Sequence, residues 1–294
     1  MEKKYKGVYT VLCTAFDDNG KVDEAALRRH IRWQLDECKV DGLIPCGSTG
    51  EFAFLSEQER KQVVGITIDE VRKKVPVIAG SAACATAEVI EYAQHYQKMG
   101  VDGVMIVPSY YGHLSQNELY THFSTIAKNI GLPIIVYNNP GTSGSDILPS
   151  TLARLAEFSN IVAVKESTGM MQRVIDIRLL VGDRIELMCG CDTLAMEMFS
   201  VGVEAWIAAP ANVAAKQCRN LYSLMWEQKD PQSAWEYYKK LRPLLDLFEN
   251  SGQYVALAKA GLEMLGRPVG LPRKPLLPAS SELRTQLKAI LDTI

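Results

Sequence analysis

Eight short runs of apolar, often β-branched residues recur along the chain, at 8–14, 42–46, 75–79, 103–107, 133–137, 161–165, 185–189 and 205–209. Between them lie longer stretches with apolar residues at helical spacing, among them 23–37, 56–73, 87–98, 115–130 and 193–200. Near-continuous apolar strands suit burial on both faces, and their alternation with helices predicts parallel βαβ units. Eight such units close a TIM (β/α)8 barrel. The structural rival is an open doubly wound sheet, which more often carries a G-x-G-x-x-G loop, and the chain has none. After residue 209 the pattern changes. Segments 213–227, 231–250, 254–265 and 281–294 read as helices without strands between them, with a Pro/Gly-rich connector at 266–275. The predicted organisation is a barrel catalytic domain at 1–225 and a C-terminal helical extension at 226–294.

Two of the predicted strands end in chemistry. The sixth, Ile-Val-Ala-Val-Lys, runs straight into Lys165. A lysine at a strand end is most simply a side chain snorkelling into water. The barrel changes that balance, because active-site groups stand at the C-terminal ends of barrel strands. Alternation puts Ile161, Ala163 and Lys165 on one face and, on the fifth strand, Ile135 and Tyr137 on one face. An amine and a phenol would then stand side by side at the top of the barrel. A third stretch, Gly47-Ser48-Thr49-Gly50-Glu51-Phe52, follows the second strand. Its glycines let backbone N–H groups converge and its hydroxyls add donors, which suits a carboxylate. The same loop also reads as a tight turn before a helix capped by Ser56.

Composition narrows the chemistry. The 294 residues are 47% hydrophobic and 22% charged, with a net charge of −2, so nothing selects for nucleic acid or a membrane surface. No apolar run is long enough to span a bilayer, and the basic start lacks the apolar segment of a secretory signal. A soluble cytoplasmic protein is the expectation. The seven cysteines show no C-x-x-C and read as reduced core residues. The four histidines lack metal-ligand spacing, so no metal and no cofactor are expected. A desolvated amine attacks a ketone to give a Schiff base, whose electron withdrawal allows a neighbouring carbon–carbon bond to form or break. A tyrosine hydroxyl relays the protons.

The stretches Gly47-Ser48-Thr49-Gly50-Glu51, Tyr137-Asn138-Asn139-Pro140 and Val164-Lys165-Glu166-Ser167-Thr168-Gly169 resemble the dihydrodipicolinate synthase / N-acetylneuraminate lyase family. These are class I, pyruvate-dependent Schiff-base aldolases on a TIM barrel with a helical extension, and the resemblance runs through nearly the whole chain. It implies that Lys165 forms the imine with pyruvate or a 2-keto acid and that Tyr137 shuttles protons. It also implies that Ser48 and Thr49 hold the keto-acid carboxylate with Gly47, Thr49 sharing in the proton relay. Tyr111 matches a residue that reaches a neighbouring subunit's site, and Gly190 and Ile207 match positions lining the site. A homotetramer built from dimers is the implied assembly, with an aldehyde as the second small-molecule substrate.

The departures bear on that second substrate. Synthases of the family place an arginine two residues beyond the Tyr-Asn-x-Pro proline, to hold the carboxylate of aspartate semialdehyde. Thr142 stands there in this chain. A hydroxyl does not replace a bidentate guanidinium. Cys84 and Glu57 also depart from the family's lysine-feedback pocket, although Glu88 and Tyr110 match it. The leading expectation is a lyase that cleaves or forms a pyruvate-derived aldol, or dehydrates a 2-keto-3-deoxy acid. The alternative within the family is 4-hydroxy-tetrahydrodipicolinate synthase. A different-class alternative is a pyridoxal-phosphate-binding barrel, which needs a phosphate cradle near the last two strands. A non-catalytic scaffold barrel is a further rival.

Overall fold

The computed structural model describes residues 5–294. Its strands are β1 (Gly7–Val11), β2 (Gly42–Ile44), β3 (Ile78–Gly80), β4 (Gly103–Ile106), β5 (Ile134–Asn138), β6 (Ile161–Glu166), β7 (Glu186–Cys189) and β8 (Ala205–Ala208). All pair in parallel, in the order β2-β1-β8-β7-β6-β5-β4-β3. A single parallel bridge between Leu43 and Val77 joins β2 to β3 and completes a TIM barrel. Every residue of β1, β2, β3, β4, β5 and β8 is buried, as expected where helices cover the outside and side chains fill the inside.

All eight predicted strands form. The helices expected at 23–37, 56–73, 87–98 and 115–130 form with their ends shifted by a few residues. Local sequence explains those ends. Ser56 and Ser115 each make a reciprocal capping box, with Glu59 and Glu118 respectively. Asp23 caps the helix Glu24–Arg32, which continues as a π-helical turn through Glu37. The periodicity at 193–200 resolves into a 3-10 turn followed by the helix Ala195–Ser200.

The helices expected after residue 209 form as Ala211–Trp226, Pro231–Asn250, Tyr254–Met264 and Ser281–Leu291. Among the described residues no helix is long and apolar enough to cross a membrane. Six cysteines are buried as core residues, but Cys84 is exposed at the start of the helix Thr86–Met99, a departure from the sequence reading.

Buried polar contacts tie these C-terminal helices to the top of the barrel. Asn212, fully buried, donates to the Val11 carbonyl at 2.8 Å and accepts from Cys13 N–H at 3.0 Å, fastening the end of β1. Glu249 accepts from Asp192 N–H at 2.9 Å, just beyond β7. Lys259 Nζ lies 2.7 Å from Glu51 Oε1, both side chains at most 1% exposed, linking the extension to the loop after β2.

Candidate active site

β5 and β6 are in register such that Tyr137 lies opposite Lys165. Partnered residues in parallel strands project to the same side, so amine and phenol share a level. Lys165 Nζ sits 4.0 Å from the centroid of the Tyr137 ring, and the two residues are 6% and 5% exposed. The register carries one correction. Ile161 pairs with Ile134 and Ala163 with Ile135, so a bulge at Val162 puts Ile161 out of step with Ala163 and Lys165. Asn138 and Glu166, also partnered, point the other way and bond to each other at 3.0 Å. Glu166 further accepts from Thr168 N–H at 2.7 Å. This buried network locks the two strand ends behind the Lys165–Tyr137 pair.

Lys165 needs room, and Gly190 supplies it. A Cβ on Gly190 would lie 2.7 Å from Lys165 Cγ, 2.8 Å from Lys165 Cε and 2.1 Å from Ser167 Oγ. Any side chain there would collide with the lysine stem. The Gly190 N–H donates to the Glu166 carbonyl at 2.9 Å, which continues the β6–β7 ladder past the site.

A cavity of about 430 Å³ opens above these groups. Its lining includes Ser48, Thr49, Tyr137, Thr142, Lys165, Gly190 and Ile207, seven of the nine positions singled out in the sequence. The other two lie elsewhere. Gly47 is buried behind its loop, where a Cβ would strike Val11 Cγ1 at 2.4 Å, so its role is close packing that seats the loop. Tyr111 is 86% exposed and does not line the cavity of its own chain.

Several lining residues escaped the sequence reading. Asn139 donates from Nδ2 to the Tyr137 hydroxyl at 2.9 Å, while its Oδ1 accepts from Thr142 N–H at 3.1 Å and caps the short helix Pro140–Ser143. Its place two residues after Tyr137 was the available signal. Asp192 is buried at the cavity wall and accepts from Trp206 Nε1 at 2.8 Å. Burial first, and the Glu249 carboxylate second, hold the Asp192 carboxyl well above the ordinary carboxylate range. Phe248, Glu249 and Tyr254 come from the extension and had no visible link to the barrel in sequence. Tyr254 lines the cavity together with Ser48, and burial pushes its phenol up. Among the described residues of the lining Lys165 is the only lysine or arginine, and Asp192 and Glu249 bring the carboxyl groups. Among the described residues no group of three or more His, Cys, Asp or Glu side chains is arranged to hold a metal ion.

Known proteins resemble this chain over nearly its whole length. The Dihydrodipicolinate synthetase family profile matches residues 4–294. A 4-hydroxy-tetrahydrodipicolinate synthase from Geotalea daltonii is 34% identical over 287 residues, covering 98% of each chain. Another, from Nitrobacter hamburgensis, is 40% identical over 278 residues, covering 94% of this chain and 92% of its own. The crystal structure of a chloride-inhibited dihydrodipicolinate synthase from Acinetobacter baumannii, complexed with pyruvate, superimposes with a TM-score of 0.93. That protein is 30% identical, with 99% of both chains covered.

Proposed function

This chain belongs to the dihydrodipicolinate synthetase family of lyases, and on that premise we propose that Lys165 forms a Schiff base with pyruvate or a 2-keto acid. The reaction is then aldol cleavage or condensation, or dehydration of a 2-keto-3-deoxy acid. The observation that carries this reading is the in-register Lys165–Tyr137 pair, enclosed in one cavity with Ser48 and Thr49.

The Lys165 amine adds to the keto carbon, and the hydroxyl of the resulting carbinolamine takes up a proton and leaves as water, giving the protonated imine. Loss of a proton from the adjacent methyl gives an enamine, whose carbon attacks an aldehyde while the aldehyde oxygen takes up a proton. Water then hydrolyses the imine, releasing product and restoring the amine; cleavage runs the same steps backwards. Tyr137, held by Asn139, is placed to pass these protons with Thr49. Ser48 and Thr49 hold the carboxylate, Gly190 and Ile207 shape the wall, and Thr142 stands on the aldehyde side.

Tyr111 completes a site in a neighbouring copy. Its exposed phenol, together with exposed Ile175 and Leu179 one helical turn apart on the helix Met171–Val181, supports a homotetramer assembled from dimers. The reading treats 1–225 as the catalytic barrel and 226–294 as a helical extension that contributes Glu249 and Tyr254, in a cytoplasmic enzyme that uses no cofactor.

The relatives' names favour a second reading, 4-hydroxy-tetrahydrodipicolinate synthase acting on pyruvate and aspartate semialdehyde. Thr142, and a cavity with no cation besides Lys165, speak against it. The Glu249 carboxylate likewise opposes the phosphate of a pyridoxal cofactor. The test is borohydride reduction in the presence of pyruvate. A mass increase confined to Lys165, and lost in a folded Lys165→Ala variant, is expected; an adduct elsewhere or none at all refutes the proposal.

A further inference from the structure

Tyr137 does not stand alone at the top of β5. Two residues on, the half-buried Asn139 uses both ends of its side-chain amide, and the chemistry of its partners fixes which end is which. A backbone N–H only donates, and the Thr142 N–H donates to Asn139 Oδ1 at 3.1 Å. The other end is therefore the NH2 group, and it lies 2.9 Å from the Tyr137 hydroxyl oxygen. An amide nitrogen offers no lone pair, so the phenol oxygen accepts this bond and its own hydrogen is left for another acceptor. The bracket is also stiff. Ser143 donates to the Asn139 carbonyl from its N–H at 2.9 Å and from Oγ at 3.0 Å, and Pro140 restricts the turn between them.

We propose that Asn139 is a positioning residue for proton transfer: its amide aims the Tyr137 O–H at the atoms reacting on Lys165 and keeps hold of the oxygen after the proton has left. The proposal rests on the Schiff-base reading of Lys165 and adds the group that prepares Tyr137 for its part. In the dehydration step the O–H proton passes to the hydroxyl of the carbinolamine. The carbon–oxygen bond breaks, water leaves, and the nitrogen lone pair closes the protonated imine. The phenolate left behind still accepts from Asn139 Nδ2, now through a charge-assisted and stronger bond. It recovers a proton from the adjacent methyl carbon as the enamine forms, and Tyr137 ends neutral.

Tyr137, Asn139, Thr142 and Lys165 all line the one cavity. Because Oδ1 holds the Thr142 N–H, the residue on the aldehyde side and the residue that moves the proton hang from a single amide. Capping the turn needs only Oδ1, for which aspartate serves as well as asparagine. The N–H donor aimed at Tyr137 is what asparagine adds.

One substitution separates the two ends. Asn139→Asp keeps an oxygen for the Thr142 N–H, and with it the turn, but its ionised carboxylate cannot donate to Tyr137. The phenol then turns its proton to that carboxylate, away from the cavity. Pyruvate alone is the probe, with two readouts: the rate of borohydride-trapped adduct formation by intact mass, and exchange of the pyruvate methyl hydrogens for deuterium in heavy water by NMR. In Asn139→Asp both maximal rates should fall about 100-fold, the usual cost of removing one preorganised donor to a developing charge. Half-saturating pyruvate and the melting temperature should stay at their wild-type values. In a Tyr137→Phe background the same substitution should change the residual rates by about twofold or less, because Asn139 acts through the phenol. Asn139→Leu, which loses both ends, should show the same kinetic loss and a lower melting temperature. A deficit in Asn139→Leu that Asn139→Asp does not share makes the residue a cap only and overturns the proposal. A full deficit in the Tyr137→Phe background, or one carried by half-saturating pyruvate, overturns it too. No adduct in the wild type overturns the Schiff-base reading itself.

Discussion

Gly190→Ala tests the geometry of the site more sharply than removal of Lys165 does. The added Cβ would lie 2.7 and 2.8 Å from two carbons of the Lys165 stem and 2.1 Å from Ser167 Oγ. Unbonded carbons settle at roughly 3.5–4.0 Å, so the lysine stem must retreat by about 1 Å. A displacement of that size in a reacting group costs about 100-fold in rate. Forcing a methyl into packed space also costs about 1–3 kcal/mol of stability. Ser167 can relieve its share by rotation; the lysine stem is held between Tyr137 and the Gly190 backbone. The first assay is the rate of borohydride-trapped adduct formation at saturating pyruvate, read by intact mass. The second is urea unfolding of Gly190→Ala with and without Lys165→Ala. Removing the lysine stem should recover about 1 kcal/mol of the alanine's cost, as coupling between touching residues predicts. A wild-type trapping rate, or strictly additive stabilities, would show that Lys165 does not occupy this seat.

Three further outcomes follow from the same contacts. Lys259→Met leaves the Glu51 carboxylate buried beside an apolar chain and should cost about 3–5 kcal/mol in urea unfolding. It should also raise KM for pyruvate, since Glu51 ends the Ser48–Thr49 loop; a cost below about 1 kcal/mol would contradict the burial argument. Because the folded-state Asp192 carboxyl titrates above its unfolded value, near 4, the native state binds more protons through the intervening window. Stability should therefore decline as pH rises from about 4 toward the folded-state value, and Asp192→Asn should flatten that decline in thermal melts; an unchanged pH profile would refute it. Thr142→Arg should raise kcat/KM for aspartate semialdehyde by about tenfold or more through a new carboxylate contact; steady-state kinetics showing no gain would remove the reason for setting the synthase reading aside.

Much of this protein was legible in the order of its residues. The eight strands and the four helices after residue 209 announced themselves through the period of their apolar positions, because burial on two faces and burial on one stripe leave different patterns. The helices Pro149–Leu155 and Met171–Val181 stood out less, the second because Ile175 and Leu179 add apolar residues on its exposed side and blur the stripe. Lys165, Tyr137, Ser48 and Thr49 were singled out because each stands near a strand end or in the loop after one, and barrel geometry gathers such positions into one cavity.

What only the tertiary structure decided is contributed from far along the chain or depends on a distance. Asp192 and Glu249 meet 57 residues apart, and Lys259 reaches Glu51 across the top of the barrel. The bulge at Val162 set the register that brings Lys165 level with Tyr137, a shift that alternation alone does not reveal. Gly190 is required by the lysine it faces, and Tyr111 is left outside its own chain's cavity. Local periodicity reports which residues leave water; which of them touch, and what charge surrounds them, is decided by packing between segments that are remote in sequence.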